Sequence, residues 1–312
     1  MRKQPIYFCK VLPRMEKNYI PIDLHCHSTY SDGSLSVREV LSLAAANGAK
    51  YQALTDHDTV AGINEAQSVA TELGLTLIPG VEISVTWQGN TLIHIVGLGI
   101  DPNNQQLITQ LAQLRGSRIE RGQRISDNLA KAGIYGAFAG AMALCAHPEA
   151  LSRTHFSQWL VASGHAKPGK AFDKFLAPGK PGFTQQTWAS LAAAVTWIKD
   201  SGGVAVIAHP ARYGFTRTKL IKLIDEFKAV GGQGIELISS SHSLQDEANI
   251  ANLCRVSGLL ASVGSDFHQQ DGLRKILPGS NKALPAGVAA IFPLLGIEAS
   301  VPLDRASAVD RV

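Results

Sequence analysis

Pro21-Ile-Asp-Leu-His25-Cys-His27-Ser-Thr-Tyr-Ser-Asp32-Gly33 is the stretch on which the reading of this chain turns. The apolar run from Tyr19 to Leu24 predicts a buried strand that ends in His25-Cys26-His27. Side chains two apart on a strand share a face, so His25 and His27 can aim at one ion. Ser31-Asp32-Gly33 predicts a turn that brings Asp32 close as a third, oxygen ligand. Taken alone, two histidines so spaced serve equally well as hydrogen-bonded structural residues. The rest of the chain decides between these readings.

Outward from Gly33 the pattern alternates. Ser36-Val-Arg-Glu39 matches a capping box, Val37, Val40, Leu41 and Ala44 mark one apolar face, and Gly48 suits the stop. Tyr51 to Thr55 predicts a second strand running straight into Asp56-His57-Asp58. A helix over 60–73 ends at Gly74, and 75–78 predicts a third strand. This rhythm argues for parallel strands with helices outside, and such folds gather ligands at strand C-terminal ends, where His25, His27 and His57 fall. Pro79-Gly80 predicts a break. Val81 to Val85 and Thr91 to Leu98 then read as hairpin arms around a Gly89-Asn90 turn, with Glu82 on one arm and His94 on the other. A carboxylate between Val81 and Ile83 needs a partner if it is buried, and a metal ion is one such partner.

From Asn103 the rhythm becomes helical. Leu107, Leu111, Leu114, Ile125 and Leu129 predict a long helix closing at Lys131-Ala-Gly133. Arg115, Arg118, Arg121 and Arg124 are placed on its other face, mostly as solvated surface. Shorter helices are expected over 136–145, 153–162 and 169–176, with no strand before about Gln186. Residues 101–186 therefore read as a helical insertion. Within it, Arg153-Thr-His155 and the lysine-rich 170–180 segment carry groups that could cover a site. Alternation then resumes, with strands at 204–208, 234–239 and 259–263, the first leading into His209-Pro210 and the last into Gly264-Ser-Asp266-Phe-His268. The expected plan is a leader over 1–19, barrel-forming parts at 20–100 and 187–292, and a tail over 293–312.

The chain has 312 residues, 45% of them hydrophobic, enough for a large core. Its 29 Lys+Arg against 25 Asp+Glu, a net charge of +4, permits a phosphate-bearing substrate without demanding one. The four cysteines show no paired spacing, and no signal peptide or bilayer-length apolar run is evident, so a cytoplasmic location is expected, with no membrane and no obligate protein partner. Six of the ten histidines, His25, His27, His57, His94, His209 and His268, fall on or at the ends of predicted strands. Asp32, Glu82 and Asp266 accompany them. Imidazoles and carboxylates without thiolate suit zinc, manganese or iron in hydrolysis, and so many ligands suit two or three ions.

These motifs, His25-x-His27…Ser31-Asp32-Gly33, Thr55-Asp56-His57-Asp58, Pro79-Gly-Val-Glu82, His94, Ala208-His209-Pro210 and Gly264-Ser-Asp266-x-His268, resemble the PHP (polymerase and histidinol phosphatase) superfamily. The resemblance runs from about Ile20 to Ala290. It implies an α/β fold, a distorted (β/α)7 barrel, carrying a trinuclear centre of divalent ions, manganese first, with iron or zinc as alternatives. Carried over by motif, one ion takes His25, His27, Glu82 and Asp266. A second shares Glu82 and adds His94 and His209, and a third takes Asp32, His57 and His268. Catalysis is then by a hydroxide held among Glu82, His94 and Asp266. Arg153-Thr-His155-Phe and Arg212-Tyr213 are similar to the bacterial 3′,5′-nucleoside bisphosphate phosphatase branch, also described as a 5′→3′ exoribonuclease. That branch implies nucleoside 3′,5′-bisphosphates and short 5′-phosphorylated RNA as substrates, with Arg153, His155, Lys180 and Arg212 as candidate phosphate-binding groups. Asp56 and Asp58 are expected to orient neighbours. The alternatives are a histidinol-phosphate or other small-molecule phosphatase, an amidohydrolase, and a metal-binding module without catalysis. An amidohydrolase usually bridges its ions with a modified lysine, whereas here the motif offers Glu82, and a degenerate module tends to lose ligands.

Overall fold

The structure, a computed structural model, describes residues 19–89, 91–269 and 276–298. Pro21 divides the first apolar run, which had been expected to form one strand. Proline lacks the N–H that a continuous ladder needs. Tyr19–Ile20 (β1) pairs antiparallel with Asn281–Lys282 (β9), while Ile22–Asp23 (β2) joins the main sheet. That sheet continues in chain order through Tyr51–Leu54 (β3), Thr76–Trp87 (β4), Thr91–Leu98 (β5), Val204–Ile207 (β6), Gly234–Ile238 (β7) and Leu260–Val263 (β8). Its two edges meet. The Leu24 N–H donates to the Val263 carbonyl at 3.0 Å, the Asp266 N–H donates to the His25 carbonyl at 2.8 Å, and Cys26 pairs with Phe267. The sheet is thus a seven-stranded barrel, parallel throughout except that β5 runs antiparallel to both neighbours. This is the expected distorted α/β barrel.

The break expected at Pro79-Gly80 does not occur, because β4 changes partner there instead of ending. Residues up to Pro79 pair with β3, and those from Gly80 pair with β5. A Cβ at Gly80 would lie 2.7 Å from the Thr55 side chain and 2.9 Å from the Gly97 carbonyl, so only glycine lets the three strands converge.

Helices Val37–Ala46 (α1), Ile63–Leu73 (α2), Leu191–Asp200 (α6), Arg217–Ala229 (α7) and Leu244–Ser257 (α8) surround the barrel. The capping box at Ser36 and Glu39 forms as expected. The insertion is made of Gln105–Lys131 (α3), Ala137–Ala143 (α4), Arg153–Ala162 (α5) and a short π-turn at Phe172–Leu176. Its first helix, α3, contributes to two cores. Leu107 and Leu111 pack into the barrel core, whereas Ile125 and Leu129 pack with Phe156, Leu160 and Phe175 in a separate core. At the other end, Phe292 and Ile297 belong to the barrel core. The leader 1–18 and the tail from 299 lie outside the described residues. Among the described residues no helix is long and apolar enough to cross a membrane.

Candidate metal centre

All nine residues read from the motifs meet at one end of the barrel, and Glu82 stands at their centre. Its Oε2 lies 2.9 Å from His57 Nδ1, 3.3 Å from His27 Nε2 and 3.4 Å from His25 Nε2. Its Oε1 lies 3.0 Å from both His94 Nδ1 and His209 Nε2. Asp32 Oδ1 is 3.3 Å from His268 Nε2 and 3.7 Å from His57 Nε2, and Asp266 Oδ1 is 3.5 Å from His27 Nε2. Strand alternation produces the arrangement. His25 and His27 face the cluster, while Cys26 between them turns away and donates to the Ala53 carbonyl at 3.1 Å.

Strain and close packing hold these side chains in place. Asp58, His209 and Asp266 carry positive φ of 53°, 26° and 48° without being glycine, a conformation that persists where surrounding contacts enforce it. A Cβ at Gly264 would lie 2.3 Å from the His25 Cβ and 2.4 Å from Glu236 Oε1, so the last strand can pass this close only as glycine.

The donor set fits metal ions. Three groups, His27/Asp32/His57/His268, His25/His27/Asp266 and His57/Glu82/His94, each place one ligand atom per residue within 4.8 Å of the others. Asp32 Oδ1, Glu82 Oε2, His57 Nδ1, His94 Nδ1 and His209 Nδ1 are buried without a hydrogen bond. Buried polar atoms are normally paired. His57 Nδ1 and Glu82 Oε2 approach to 2.9 Å yet lack hydrogen-bond alignment, as atoms do when they point at a shared third position and not at each other. The electrostatics is strongly coupled. Burial opposes charge on Glu82, but His57, His94 and His25 hold its carboxyl well below the usual range. Burial also keeps His27 largely neutral, reinforced by His268 and His57. Burial and then Arg212 push His209 down to about 3. Against burial, Glu236 and Glu82 hold His25 well above its ordinary value, and Glu82 and Asp32 raise His57 to about 9, so a divalent cation entering the cluster displaces the protons of these two imidazoles.

A PHP domain model matches residues 23–202. The chain belongs to the PHP family. A 3′,5′-nucleoside bisphosphate phosphatase of Chromobacterium violaceum is 50% identical over 79% of this chain and 87% of its own length. A 5′-3′ exoribonuclease of Haemophilus influenzae is 43% identical over 81% of this chain and 91% of its own. A solved structure from Chromobacterium violaceum, described as an amidohydrolase with bound sulfate and no metal, superposes with a TM-score of 0.85 at 46% identity. It covers 88% of this chain and 96% of that one.

Around the PHP ligand cluster lies a shell that the sequence reading reached only in part. Asp56 behaves as expected, accepting from the Ser28 N–H at 2.8 Å and the Ser31 hydroxyl at 2.5 Å, with Ser31 Oγ 3.5 Å from His27 Nδ1. Asp58 accepts from the Ser84 N–H at 2.7 Å and pairs with Arg118, tying the barrel to α3. Glu236 was missed. Its Oε1 lies 3.0 Å from His25 Nδ1, and its Oε2 accepts the His209 N–H at 2.6 Å. The signal was present in Ile235-Glu236-Leu237, an acid in an apolar strand like Glu82. Tyr213, next to Arg212 in the sequence motif, carried no expected role. Its hydroxyl accepts the His94 N–H and donates to the Ala208 carbonyl, each at 2.9 Å.

The largest correction concerns α3. Arg118 and Arg121 are buried, not solvated, and they lie on the apolar stripe itself, between Leu111 and Ile125. Both guanidinium groups sit over Trp188, at 5.0 Å and 5.4 Å from its ring centroid. Together with Arg153, Arg212, Phe172 and Trp188 they line the cavity that opens onto Asp32, His57, His94 and His268. Among the described residues no carboxylate pairs with Arg121. Burial pushes this guanidinium down to about 9, and Arg153, Arg118 and Arg124 push in the same direction. Arg124 itself is exposed, and Arg115 donates to the Asp58 carbonyl at 2.7 Å.

Of the four groups expected to bind phosphate, two line this cavity. Arg153 is half-buried there, 5.7 Å from the Phe172 ring, and Arg212 pairs with Asp266 Oδ2 at 2.6 Å. His155 is buried behind the wall. Its Nδ1 accepts the Ser152 N–H at 3.1 Å to cap α5, and Ser152 in turn donates to Asp32 Oδ2 at 3.0 Å. Lys180 is exposed and does not line the cavity.

Proposed function

We propose that this protein is a metal-dependent phosphoesterase that removes the 3′-phosphate of nucleoside 3′,5′-bisphosphates. The same site would trim 5′-phosphorylated RNA from its 5′ end, in the cytoplasm. One observation carries the reading: two charge clusters of opposite sign face one cavity. On the barrel side Asp32 lines it with His57, His94 and His268, with Glu82 buried behind them, and on the insertion side are Arg118, Arg121 and Arg153. A substrate with two phosphates has one for each.

In this reading His25, His27, Asp32, His57, Glu82, His94, His209, Asp266 and His268 hold two or three divalent ions, manganese first, with iron or zinc as alternatives. Ions bound there would supply Lewis-acid neutralisation of the phosphoryl group and a water acidic enough to attack at neutral pH. Glu82, His94 and Asp266 border the reacting phosphorus. Arg212, at the rim and fixed by Asp266, neutralises a phosphoryl oxygen as charge develops. The P–O3′ bond breaks, water provides the new oxygen on phosphorus, and a proton ends on O3′. Meanwhile Arg121 and Arg153, which pair with no carboxylate among the described residues, grip the 5′-phosphate by charge-assisted hydrogen bonds. Arg118 supports them from its pair with Asp58. In RNA the 3′-phosphate of the first nucleotide is the link to the second, so the same geometry releases 5′-mononucleotides one at a time.

The test is a substrate panel of adenosine 3′,5′-bisphosphate, 3′-AMP, 5′-AMP, histidinol phosphate and short RNA with either a 5′-phosphate or a 5′-hydroxyl. The bisphosphate should give 5′-AMP and phosphate. Loss of the 5′-phosphate should lower kcat/KM about a hundredfold on both the nucleotide and the RNA. Equal rates with and without it, or release of nucleoside 3′-phosphates, would refute the reading.

A further inference from the structure

Helix α5 joins two cavities. It starts at the catalytic one, where Ser152, Arg153 and Thr154 form part of the wall. It ends at Ala162, and Gly164-His165-Ala166 just beyond it, with Lys167, Lys170 and Lys174, line a second cavity of about 420 Å³. A helix of 10 residues sets the two ends roughly 15 Å apart. The π-turn is also shared, since Phe172 faces the catalytic cavity and Lys174 of the same turn faces the outer one.

The outer cavity is cationic and its charge is not neutralised. Lys167, Lys170 and Lys174 are exposed, and among the described residues none of them pairs with a carboxylate. Lys174 donates instead to the His165 carbonyl at 3.0 Å. Residues 163–180 hold four lysines against one aspartate. His165 adds a part-exposed ring, paired with Trp159 at 5.7 Å between centroids. Lysines in a concavity beside aromatic faces suit a single-stranded polyanion, with charges tracking the backbone and rings receiving bases.

We propose that this pocket binds the backbone phosphates of RNA downstream of the bond being cut, an inference that rests on the exoribonuclease part of the function proposed above. With its 5′-phosphate held by Arg121 and Arg153, an RNA runs away from the metal centre in the 3′ direction. A mononucleotide bisphosphate has no group that reaches the far end of α5. The pocket therefore acts on longer substrates alone and sets the preference of the enzyme for oligomers over nucleotides.

The experiment combines Lys167→Gln, Lys170→Gln and Lys174→Gln in the full chain. Affinity for a fluorescent 5′-phosphorylated oligoribonucleotide is measured by anisotropy in chelator, and kcat/KM is measured on adenosine 3′,5′-bisphosphate, a dinucleotide and the longer oligomer. The longer RNA should lose about tenfold in affinity and in kcat/KM, while the bisphosphate and dinucleotide are unchanged. The slope of log affinity against log salt should flatten by about 2, from three contacts of roughly 0.7 each. Unchanged oligomer affinity and salt slope would overturn the proposal, as would equal losses on the bisphosphate and the oligomer. A parent protein that hydrolyses the bisphosphate but binds no RNA would overturn it too, leaving the phosphatase reading intact. If the parent turns over neither substrate, the phosphoesterase reading fails, and anisotropy in chelator still decides the pocket. Loss of binding to anionic lipid vesicles with RNA binding retained would also reject it.

Discussion

The two halves of the candidate site are built on opposite plans. The barrel half takes one or two polar residues from the end of each of several strands and buries them against one another. The insertion half takes cations from a helix and packs them on an indole. In the barrel half every charge has an opposite charge nearby, with Glu82 within 3.4 Å of five imidazoles. In the insertion half like charges crowd together, and among the described residues Arg121 has no acid paired with it. The first half is a site arranged to hold cations. The second is a site whose own energetics improve only when an anion arrives.

Removing the central carboxylate should have the largest effect. Glu82→Gln keeps the size of the side chain but gives up the negative charge that balances the imidazoles. Metal measured per chain should fall by at least one ion, and turnover of adenosine 3′,5′-bisphosphate should drop roughly a thousandfold or more. The far-ultraviolet circular dichroism should be retained, because the apolar residues of β4 and β5 remain. A variant with full metal content and near-parental kcat would mean that the barrel half is a structural histidine cluster.

That half was legible in the sequence because strand geometry is short-range. The spacing in His25-x-His27 and Asp266-x-His268 fixes which side chains share a face, and parallel strands place the motifs at one end of the barrel. Glu236 obeys the same logic and was overlooked only because its strand carries no histidine. The insertion half was harder to read. Leu107, Leu111, Leu114, Ile125 and Leu129 leave a gap in the stripe, and positions 118 and 121 complete it at helical spacing. Reading charge as solvation put those two arginines on the wrong face, where periodicity alone would have buried them. What no local pattern supplied was Trp188, which comes from beyond the insertion and meets the arginines only in the fold. The first strand and the Pro79-Gly80 step were misread for a related reason. Proline marks a change of hydrogen-bonding partner as well as the end of a strand, and only the neighbouring strands show which.

Arg121→Met tests whether the insertion half sacrifices stability for binding. Burial first, and then Arg153, Arg118 and Arg124, push this guanidinium down to about 9, so it stays charged at neutral pH but at a cost to the folded chain, because the unfolded chain holds that proton more tightly. Methionine fills a similar volume beside Trp188 without the charge. Stability should rise by on the order of 1 kcal/mol, seen as a Tm increase of about 2 °C. On the same variant kcat/KM for the bisphosphate should fall about a hundredfold with bound metal unchanged. A drop in both stability and metal content would place Arg121 in the framework and break the contrast between the halves.

The smallest expected effect belongs to Lys180, and it marks where the insertion half stops. Lys180 is held through its backbone, whose N–H donates to the Ala177 carbonyl at 3.0 Å, while its side chain is exposed and outside the cavity. An exposed cation that touches neither phosphate position contributes only a salt-screened, long-range attraction. Lys180→Ala should therefore leave kcat/KM for the bisphosphate within about twofold of the parent at physiological ionic strength, with any difference vanishing as salt is raised. Its proper control is Arg153→Ala, which removes a half-buried guanidinium from the cavity wall and should be insensitive to salt in its much larger loss. A tenfold fall for Lys180→Ala that persists at high salt would mean that the loop closes over bound substrate. The binding surface would then extend beyond the arginines on α3 and α5.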